Sequence, residues 1–352
     1  MELPQLESAR AWLLELPMRR VFAARGTEIK LRKIAVVNLT AGDFDGWGEC
    51  APIPGFTQSI DEAWAELQRI LPLFVSGESP ELQVATARCA LDQARMDIEA
   101  SAKGVPLWQH LGGTGRPVTG GAVVSSPGDS DAVEAQLADA IDRGYRHFKI
   151  KVEPGWDHQP VGMAHDMAPD ASVGVDANGA YPDDATAAKA LDDLNLAYIE
   201  QPLAPDDLAG HAELRSAIDA PIILDEPIVD LASAKAAIDL EAADALVVKP
   251  GKLGGLRPAL AIHDAAVDAG IGVRLGGMIE TDIGRAHSLA LATLPGFELP
   301  TDLGPAERSF AAGRLATPVH IENGLLYPPT GSGLGVEVDE DAIDKIALEY
   351  VG

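Results

Sequence analysis

Five charged residues recur at nearly equal spacing through the second half of the chain. Lys151, Asp176, Glu200, Asp225 and Lys249 follow one another at intervals of 24 or 25 residues. Each comes at the end of a short apolar stretch, where a buried strand has no packing reason to carry a charge. Three carboxylates with a lysine on either side could together hold a cation and move protons.

The three carboxylates predict a site for a divalent metal. If Asp176, Glu200 and Asp225 converge, they repel one another, and each raises the pKa of the others. A hard divalent cation removes that penalty, and an all-oxygen ligand set favours Mg²⁺, for which Mn²⁺ could substitute, over zinc. A single strand-end carboxylate more often caps a loop or pairs with an arginine, but three at regular spacing favour the metal.

The lysines predict acid/base chemistry at the same place. Lys149 and Lys151 alternate on one strand, so both side chains point to the same face. Burial, a second ammonium and a metal would all lower the pKa of Lys151 and suit it to act as a general base. Lys249 reaches the same cavity from the opposite side. We therefore predict removal of a proton from the carbon next to a carboxylate, with the metal stabilising the enediolate.

The spacing also predicts the elements that position these residues. An interval of about 25 residues is close to one βα unit of a parallel barrel, whose active site lies at the carboxyl ends of its strands. An open doubly wound sheet would compete, but no strand leads into a GxGxxG turn. Apolar stretches between helical segments predict eight strands: 119–125, 147–152, 173–178, 197–202, 222–226, 245–250, 272–278 and 297–302.

Composition narrows the class of protein. The 352 residues are 47% hydrophobic, enough for a large core, and the net charge of −27 disfavours nucleic acid or membrane as a partner. Cys50 and Cys89 are too few for a zinc cluster, and no signal peptide or membrane span is apparent. We expect a soluble cytoplasmic protein, a homo-oligomer, that acts on a small-molecule carboxylate.

Several motifs give the chain a resemblance to the muconate-lactonizing branch of the enolase superfamily. Residues 276–297 resemble its o-succinylbenzoate synthase/N-succinylamino acid racemase group. The other motifs of the branch are KIKV (149–152), VDANGAY (175–181), IEQPL (199–203), LDEP (224–227) and VVKPGKLGGL (247–256).

The resemblance implies an α/β fold, a (β/α)7β TIM-like barrel with an α+β capping domain. The cap would comprise residues 1–117 and a returning C-terminal segment, 321–352, around a barrel at 118–320. The cap loops around 22–27 and 52–56 would set substrate specificity.

It also implies roles for individual residues. Asp176, Glu200 and Asp225 would bind Mg²⁺, Lys151 and Lys249 would be the acid/base pair, and Lys149 would tune Lys151. Glu226 would lie beside the metal ligands without binding the metal. The substrate pocket would be lined by Asn178, Gly276, Gly277 and Met278.

Lys252 stands where the group commonly carries an arginine, three residues after the second catalytic lysine. The charge is kept but the planar donor fork is lost. We expect Lys252 to disfavour a second ammonium nearby and so to help keep Lys249 partly neutral near pH 7. A solvated loop lysine is the alternative.

The reaction expected from the resemblance is o-succinylbenzoate synthesis, a dehydration in menaquinone biosynthesis. Lys151 would remove the α-proton and Lys249 would stabilise the enediolate as a cation. The alternative is an N-acylamino acid racemase, in which both lysines move protons. Muconate cycloisomerase, dipeptide epimerase and a non-catalytic barrel remain as minor alternatives.

Overall fold

The computed structural model describes residues 5–24, 27–78, 80–182, 185–312 and 314–352, with only the backbone at 22–24, 27 and 185. No helix in these ranges is long and apolar enough to cross a membrane. Within the predicted specificity loop at 22–27, residues 25 and 26 and all of the side chains lie outside the described part of the structure.

The N-terminal part forms an antiparallel sheet covered by helices. Its strands are β1 (Ser8–Ala24), β2 (Thr27–Ala41) and β3 (Phe44–Cys50), followed by α1 (Ile60–Val75), α2 (Ala85–Ala102) and α3 (Leu107–His110). Ser59 begins α1 with a capping box that includes Glu62, which satisfies backbone N–H groups at the helix start. Alternating apolar residues of the sheet bury against α1 and α2 in one core.

A parallel sheet of seven strands forms the body of the molecule, with the strands in consecutive order. These strands are β5 (Ala122–Val124), β6 (His147–Lys151), β7 (Ser172–Asp176), β8 (Tyr198–Glu200), β9 (Ile222–Leu224), β10 (Ala245–Val248) and β11 (Gly272–Leu275). Their connecting helices are α4 (Ser130–Asp142), α5 (His158–Met167), α6 (Ala185–Ala190), α7 (Leu208–Arg215), α8 (Leu231–Asp239), α9 (Pro250–Leu253), α10 (Leu256–Asp268) and α11 (Asp282–Ala292). Most residues of these strands are apolar and buried, as expected of a sheet covered on both faces.

The prediction of a regular eighth strand at 297–302 is wrong. Only Thr301 bridges to Gly120, and it exchanges backbone hydrogen bonds with Thr119 and Gly121. Pro300 has no N–H to donate, so a ladder cannot continue through it. The Thr301 hydroxyl donates to the carbonyl of Leu275 at the end of β11, so this one residue links the two edges of the curled sheet.

The C-terminal segment contacts both parts of the molecule. Its first part is a hairpin of β12 (His320–Glu322) and β13 (Leu325–Tyr327). This hairpin pairs through β13 with β4 (Val118–Thr119), a short strand at the start of the barrel. The chain then forms α12 (Glu340–Ile346) and β14 (Ala347–Val351), and β14 adds to β1 at the edge of the N-terminal sheet.

Candidate active site

Register places the charged residues at one edge of the parallel sheet. Lys151 pairs with Asp176 across β6 and β7, and Asp176 pairs with Glu200 across β7 and β8. Asp225 and Lys249 come directly after β9 and β10. The structure thus brings all five predicted residues to the carboxyl ends of consecutive strands.

Lys149 lies between the first two carboxylates. Its Nζ is 2.7 Å from Glu200 Oε1 and 2.8 Å from Asp176 Oδ2, and only 2% of the residue is exposed. It is also 3.5 Å from Asp302. Burial favours the neutral amine, but the Asp176 and Glu200 carboxylates outweigh it and raise the pKa of Lys149 well above its usual value.

Lys151 points into the cavity and is held by two neighbours. Its Nζ donates to Asp176 Oδ2 at 2.6 Å and to Asn178 Oδ1 at 2.5 Å. Asn178 adopts a positive φ of 46°, a backbone conformation that asparagine tolerates better than most residues. That turn lets its amide group reach both Lys151 and Glu226.

Lys249 and Lys252 both contact Asp225. Lys249 Nζ donates to Oδ2 at 2.5 Å, while Lys252 Nζ is 3.0 Å from Oδ1 and also donates to the Asp225 carbonyl. Phe56, from the loop after β3, places its ring 4.7 Å from the ammonium of Lys249 and 5.1 Å from that of Lys252. The cap thus supplies a ring face that favours two cations.

The structure corrects the alternative expectation for Lys252. Only 6% of the residue is exposed, so it is not a solvated loop lysine. Burial favours the neutral form of Lys249, but the Asp225 carboxylate outweighs it and the pKa of Lys249 is raised. Burial and the neighbouring Lys249 instead lower the pKa of Lys252, although Asp225 opposes them. Of the two lysines, Lys252 is therefore the one whose neutral form is favoured.

The other predicted site residues differ in whether they line the cavity or pack behind it. Glu226 accepts a 2.9 Å hydrogen bond from Asn178 Nδ2. Gly277 lies on the cavity wall. Gly276 packs against the Lys249 side chain, since an added Cβ would lie 2.5 Å from Lys249 Cε, and Met278 is fully buried.

The buried Arg274 and the partly buried Asp302 were missed by the sequence reasoning. Arg274 Nη1 donates to Glu200 Oε2 at 3.3 Å, and Asp302 accepts from the Gly277 N–H at 2.6 Å. An arginine inside the apolar stretch GVRL was a signal that could have identified Arg274. Asp302 is the last residue of the strand predicted at 297–302, and its position at a strand end was the signal that could have identified it.

The carboxylates differ in their electrostatics. Burial would raise the pKa of Asp176, but Lys149 and Lys151 hold it well below its usual range. Lys249 and Lys252 do the same for Asp225 against its burial. Burial and repulsion by Asp176 raise the pKa of Glu200 to about 7. Of the three, Glu200 is therefore the carboxyl group whose protonated form is most favoured.

The oxygen atoms of the three carboxylates are suitable ligands for a divalent cation, and in this structure they contact lysine ammonium groups. No three metal-ligating side chains in the described ranges already form a metal site. Asp176, Glu200 and Asp225 are nevertheless buried carboxylates on adjacent strands, and each attracts an ammonium group. Hard oxygen donors of this kind match Mg²⁺, which is commonly bound through one or two carboxylates together with oxygens of the substrate.

A cavity of about 360 Å³ extends from Asp176 and the flanking lysines to the cap. Its wall includes Lys151, Lys249 and Asn178 from the barrel and Ile53 and Phe56 from the cap. The volume suits a small organic molecule. A substrate lying there would have a lysine at each end of the carboxylate row.

Comparison with known families matches both parts of the chain. Residues 132–342 match a family described as enolase C-terminal domain-like. Residues 6–98 match the N-terminal domain described as that of MenC.

Curated relatives match along nearly the whole chain. An N-succinylamino acid racemase from Thermus thermophilus is 35% identical and covers 98% of both chains. An o-succinylbenzoate synthase from Geobacillus kaustophilus is 33% identical and covers 94% of this chain and 93% of its own. Among solved structures, an enolase superfamily member from Listeria innocua superposes with a TM-score of 0.91 at 26% identity, covering 99% of each chain.

Proposed function

The chain belongs to the enolase superfamily, and on that premise we propose that it removes a proton from the carbon next to a substrate carboxylate, chiefly to make o-succinylbenzoate. The observation that carries the proposal is the placement of Lys151 and Lys249 on the wall of one cavity, at opposite ends of three buried carboxylates. The Geobacillus kaustophilus relative is named for the same reaction.

Lys151 is proposed as the base. Asp176 and Asn178 fix its Nζ from one side, so its remaining donor position faces the cavity. In its neutral form, Lys151 would take the α-proton of a cyclohexadiene carboxylate that bears a hydroxyl and a succinyl group. The electrons of the C–H bond enter the ring, the C–O bond breaks, and the hydroxide leaves as water with the proton that Lys151 has taken.

Lys249 is proposed as the cation that stabilises the developing charge. Its ion pair with Asp225 and its contact with the Phe56 ring both favour the ammonium form. A fixed, water-excluded charge is worth more to a transition state than a solvated one.

Asp176, Glu200 and Asp225 would hold Mg²⁺ or Mn²⁺. When bound, the metal would act as a Lewis acid that stabilises negative charge on the substrate carboxylate. Around this site, the numbers of acidic and basic side chains are equal. Five carboxylates (Asp176, Glu200, Asp225, Glu226 and Asp302) lie among five cations (Lys149, Lys151, Lys249, Lys252 and Arg274). A divalent cation would leave an excess positive charge, which an anionic substrate offsets.

N-succinylamino acid racemisation is the second candidate. It is supported by the second lysine on the cavity wall, which would return a proton to the opposite face, and by the name of the Thermus thermophilus relative. In this reaction both lysines would exchange protons with the same α-carbon.

Assay of the pure protein with both substrate types tests the proposal. We expect dehydration of the cyclohexadiene substrate with Mg²⁺ or Mn²⁺, measured by ultraviolet absorbance as the aromatic product forms. Exhaustive chelation should abolish turnover and lower the melting temperature, because a ligand that binds only the folded state stabilises it, and added Mg²⁺ should restore both.

Two controls make the assay decisive. Lys151→Ala should lose nearly all kcat, whereas Lys235→Ala, an exposed lysine on α8, should behave as wild type. The proposed function is wrong if neither substrate turns over with either metal. The ligand assignment is wrong if activity survives exhaustive chelation.

A further inference from the structure

In the part of the chain that the structure describes, the cavity wall carries five arginines in addition to the lysines and carboxylates of the row: Arg19, Arg20, Arg143, Arg285 and Arg308. Most of these are exposed or already engaged. Arg20 is exposed, and Arg143 pairs with the Asp139 carboxylate on its own helix at 3.1 Å. Arg285 donates to the carbonyls of Glu280 and Gly304.

Arg308 differs because its guanidinium is oriented but pairs with no acidic side chain in the described ranges. Its Nη1 donates to the Tyr145 hydroxyl at 3.0 Å and to the Gly121 carbonyl at 3.3 Å. The guanidinium also lies 4.8 Å from the centre of the Tyr145 ring, which fixes its plane. Among the described residues, no carboxylate lies within 4 Å of it, and no acceptor is bonded to Nε or Nη2.

The backbone around Arg308 leaves space for this arrangement. A Cβ at Gly304 would lie 2.6 Å from Arg308 Nη1 and 3.0 Å from the Tyr145 hydroxyl. Glycine at this position therefore admits the guanidinium and its orienting hydroxyl together. The arginine is half-buried, so an ion pair formed there is partly shielded from water.

We propose that Arg308 binds the distal carboxylate of the substrate, the one at the end of its succinyl chain. This inference rests on the proposed function, because the relatives with that chemistry are named for succinyl compounds. One carboxylate of the substrate would face the row of lysines and acids, and the other would meet the two open donors of Arg308. A guanidinium can bind a carboxylate through two parallel hydrogen bonds.

The test compares two substrates that differ only in that charge. One is an N-succinyl amino acid, and the other is the same amino acid acylated with succinamic acid, whose terminal amide is neutral. We measure kcat/KM for deuterium exchange at the α-carbon in D2O with Mg²⁺. Wild type should prefer the charged substrate by about tenfold to hundredfold, the usual value of a charge-assisted pair.

Arg308→Met should lose that preference by lowering kcat/KM for the charged substrate alone. Arg308→Lys should keep part of it, because the charge remains without the planar fork. Tyr145→Phe should reduce the preference without abolishing it, since the guanidinium loses one orienting bond. The matched control is Arg314→Met, which removes an exposed arginine paired with Glu307 further along the same segment.

The outcomes separate the two proposals. If Arg308→Met lowers exchange of both substrates equally, or of neither, the inference about Arg308 is overturned. If wild type exchanges the α-proton of neither substrate and also fails to dehydrate the cyclohexadiene acid, the proposed function itself fails.

Discussion

Lys149 shows how single side chains organise this site. It has almost no exposure, and its ammonium contacts Asp176 and Glu200 within 2.8 Å. Removing it would leave two buried carboxylates facing each other, the kind of change that strongly destabilises proteins. The same lysine therefore supports the fold and sets the charge that the catalytic groups experience.

Gly276 is the residue whose replacement tests the position of Lys249 most selectively. A Cβ there would lie 2.5 Å from Lys249 Cε and 2.7 Å from Val247 Cγ1. Because Lys249 is the more flexible neighbour, we expect Gly276→Ala to displace its ammonium from Asp225 while the protein still folds. Proton exchange that depends on Lys249 should fall by about tenfold or more.

The measurement is kcat for each substrate type together with the melting temperature. Gly162→Ala serves as the control, since a Cβ at Gly162 on α5 meets nothing within 4 Å. Wild-type kcat in Gly276→Ala would show that the position of Lys249 is not critical.

The charged residues of the site could be predicted because a parallel barrel repeats. Equal spacing placed Lys151, Asp176 and Glu200 at one edge, and their register agrees. The lysine–carboxylate contacts could not be predicted, since they depend on side-chain conformations and not on periodicity. Arg274 was missed because its partners come from other strands, far away in the sequence.

At the scale of elements, the loop after β3 joins the cap to the barrel. Arg32 on β2 is buried and donates to the carbonyls of Ala51, at 2.8 Å, and of Pro52, both in this loop. It also donates to the carbonyl of Met278 in the barrel, at 3.0 Å. Phe56, later in the loop, faces the two lysines at Asp225. One guanidinium thus holds the loop that brings the ring to the site.

Arg32→Met should loosen this loop. Three buried carbonyls lose their donor, so we expect a loss of about 2 to 4 kcal/mol in the free energy of unfolding. KM should rise more than kcat falls, because the loop forms the cavity wall. Urea unfolding and steady-state kinetics measure both, with Arg69→Met on the exposed face of α1 as the control. An unchanged KM with lower stability would mean that Arg32 supports the fold alone.

Elements were predictable where a regular pattern extends over several residues. The strands from β6 to β11 were found because each is a short apolar stretch next to a helix. The last barrel position was not, because proline reduces it to the single bridge at Thr301. The final strand β14 was also missed, since its sequence ALEYV follows α12 directly and pairs with β1 from the opposite end of the chain.

At the scale of the whole molecule, the cap and barrel share buried polar contacts. Glu49 on β3 accepts hydrogen bonds from the backbone and hydroxyl of Thr281 at the start of α11. His287 on α11 donates from Nε2 to the Trp47 carbonyl at 2.8 Å. The two parts should therefore respond together to a change in pH.

His287 predicts a loss of stability in acid. Burial lowers its pKa to about 4, and the hydrogen bond to Trp47 only partly opposes this. In the unfolded chain its pKa is about 6.5, so between these values the unfolded state binds more protons and stability falls as pH falls. The full effect is about 3 kcal/mol.

Urea unfolding from pH 7 to pH 4 measures this effect. His287→Gln removes the titration, so the stability difference between wild type and variant should shift by about 3 kcal/mol in favour of the variant on acidification. Burial raises the pKa values of Glu49 and Asp97 to about 7. Their effect on the pH dependence of stability is the same in wild type and in the variant, so it cancels in the difference. Parallel curves over this range would contradict a buried, neutral His287.

The central claim is that Lys151 and Lys249 lie on opposite sides of one substrate carbon, with Lys151 as the base of dehydration and with both lysines exchanging protons when an N-succinyl amino acid is bound. The most direct measurement is deuterium incorporation at the α-carbon of each enantiomer of an N-succinyl amino acid, with Lys151→Ala and Lys249→Ala compared with wild type. We predict that wild type exchanges both enantiomers and that each variant retains exchange with one enantiomer only, a different one for each lysine. Exchange of both enantiomers by either variant would contradict the account, because the base would then be another residue.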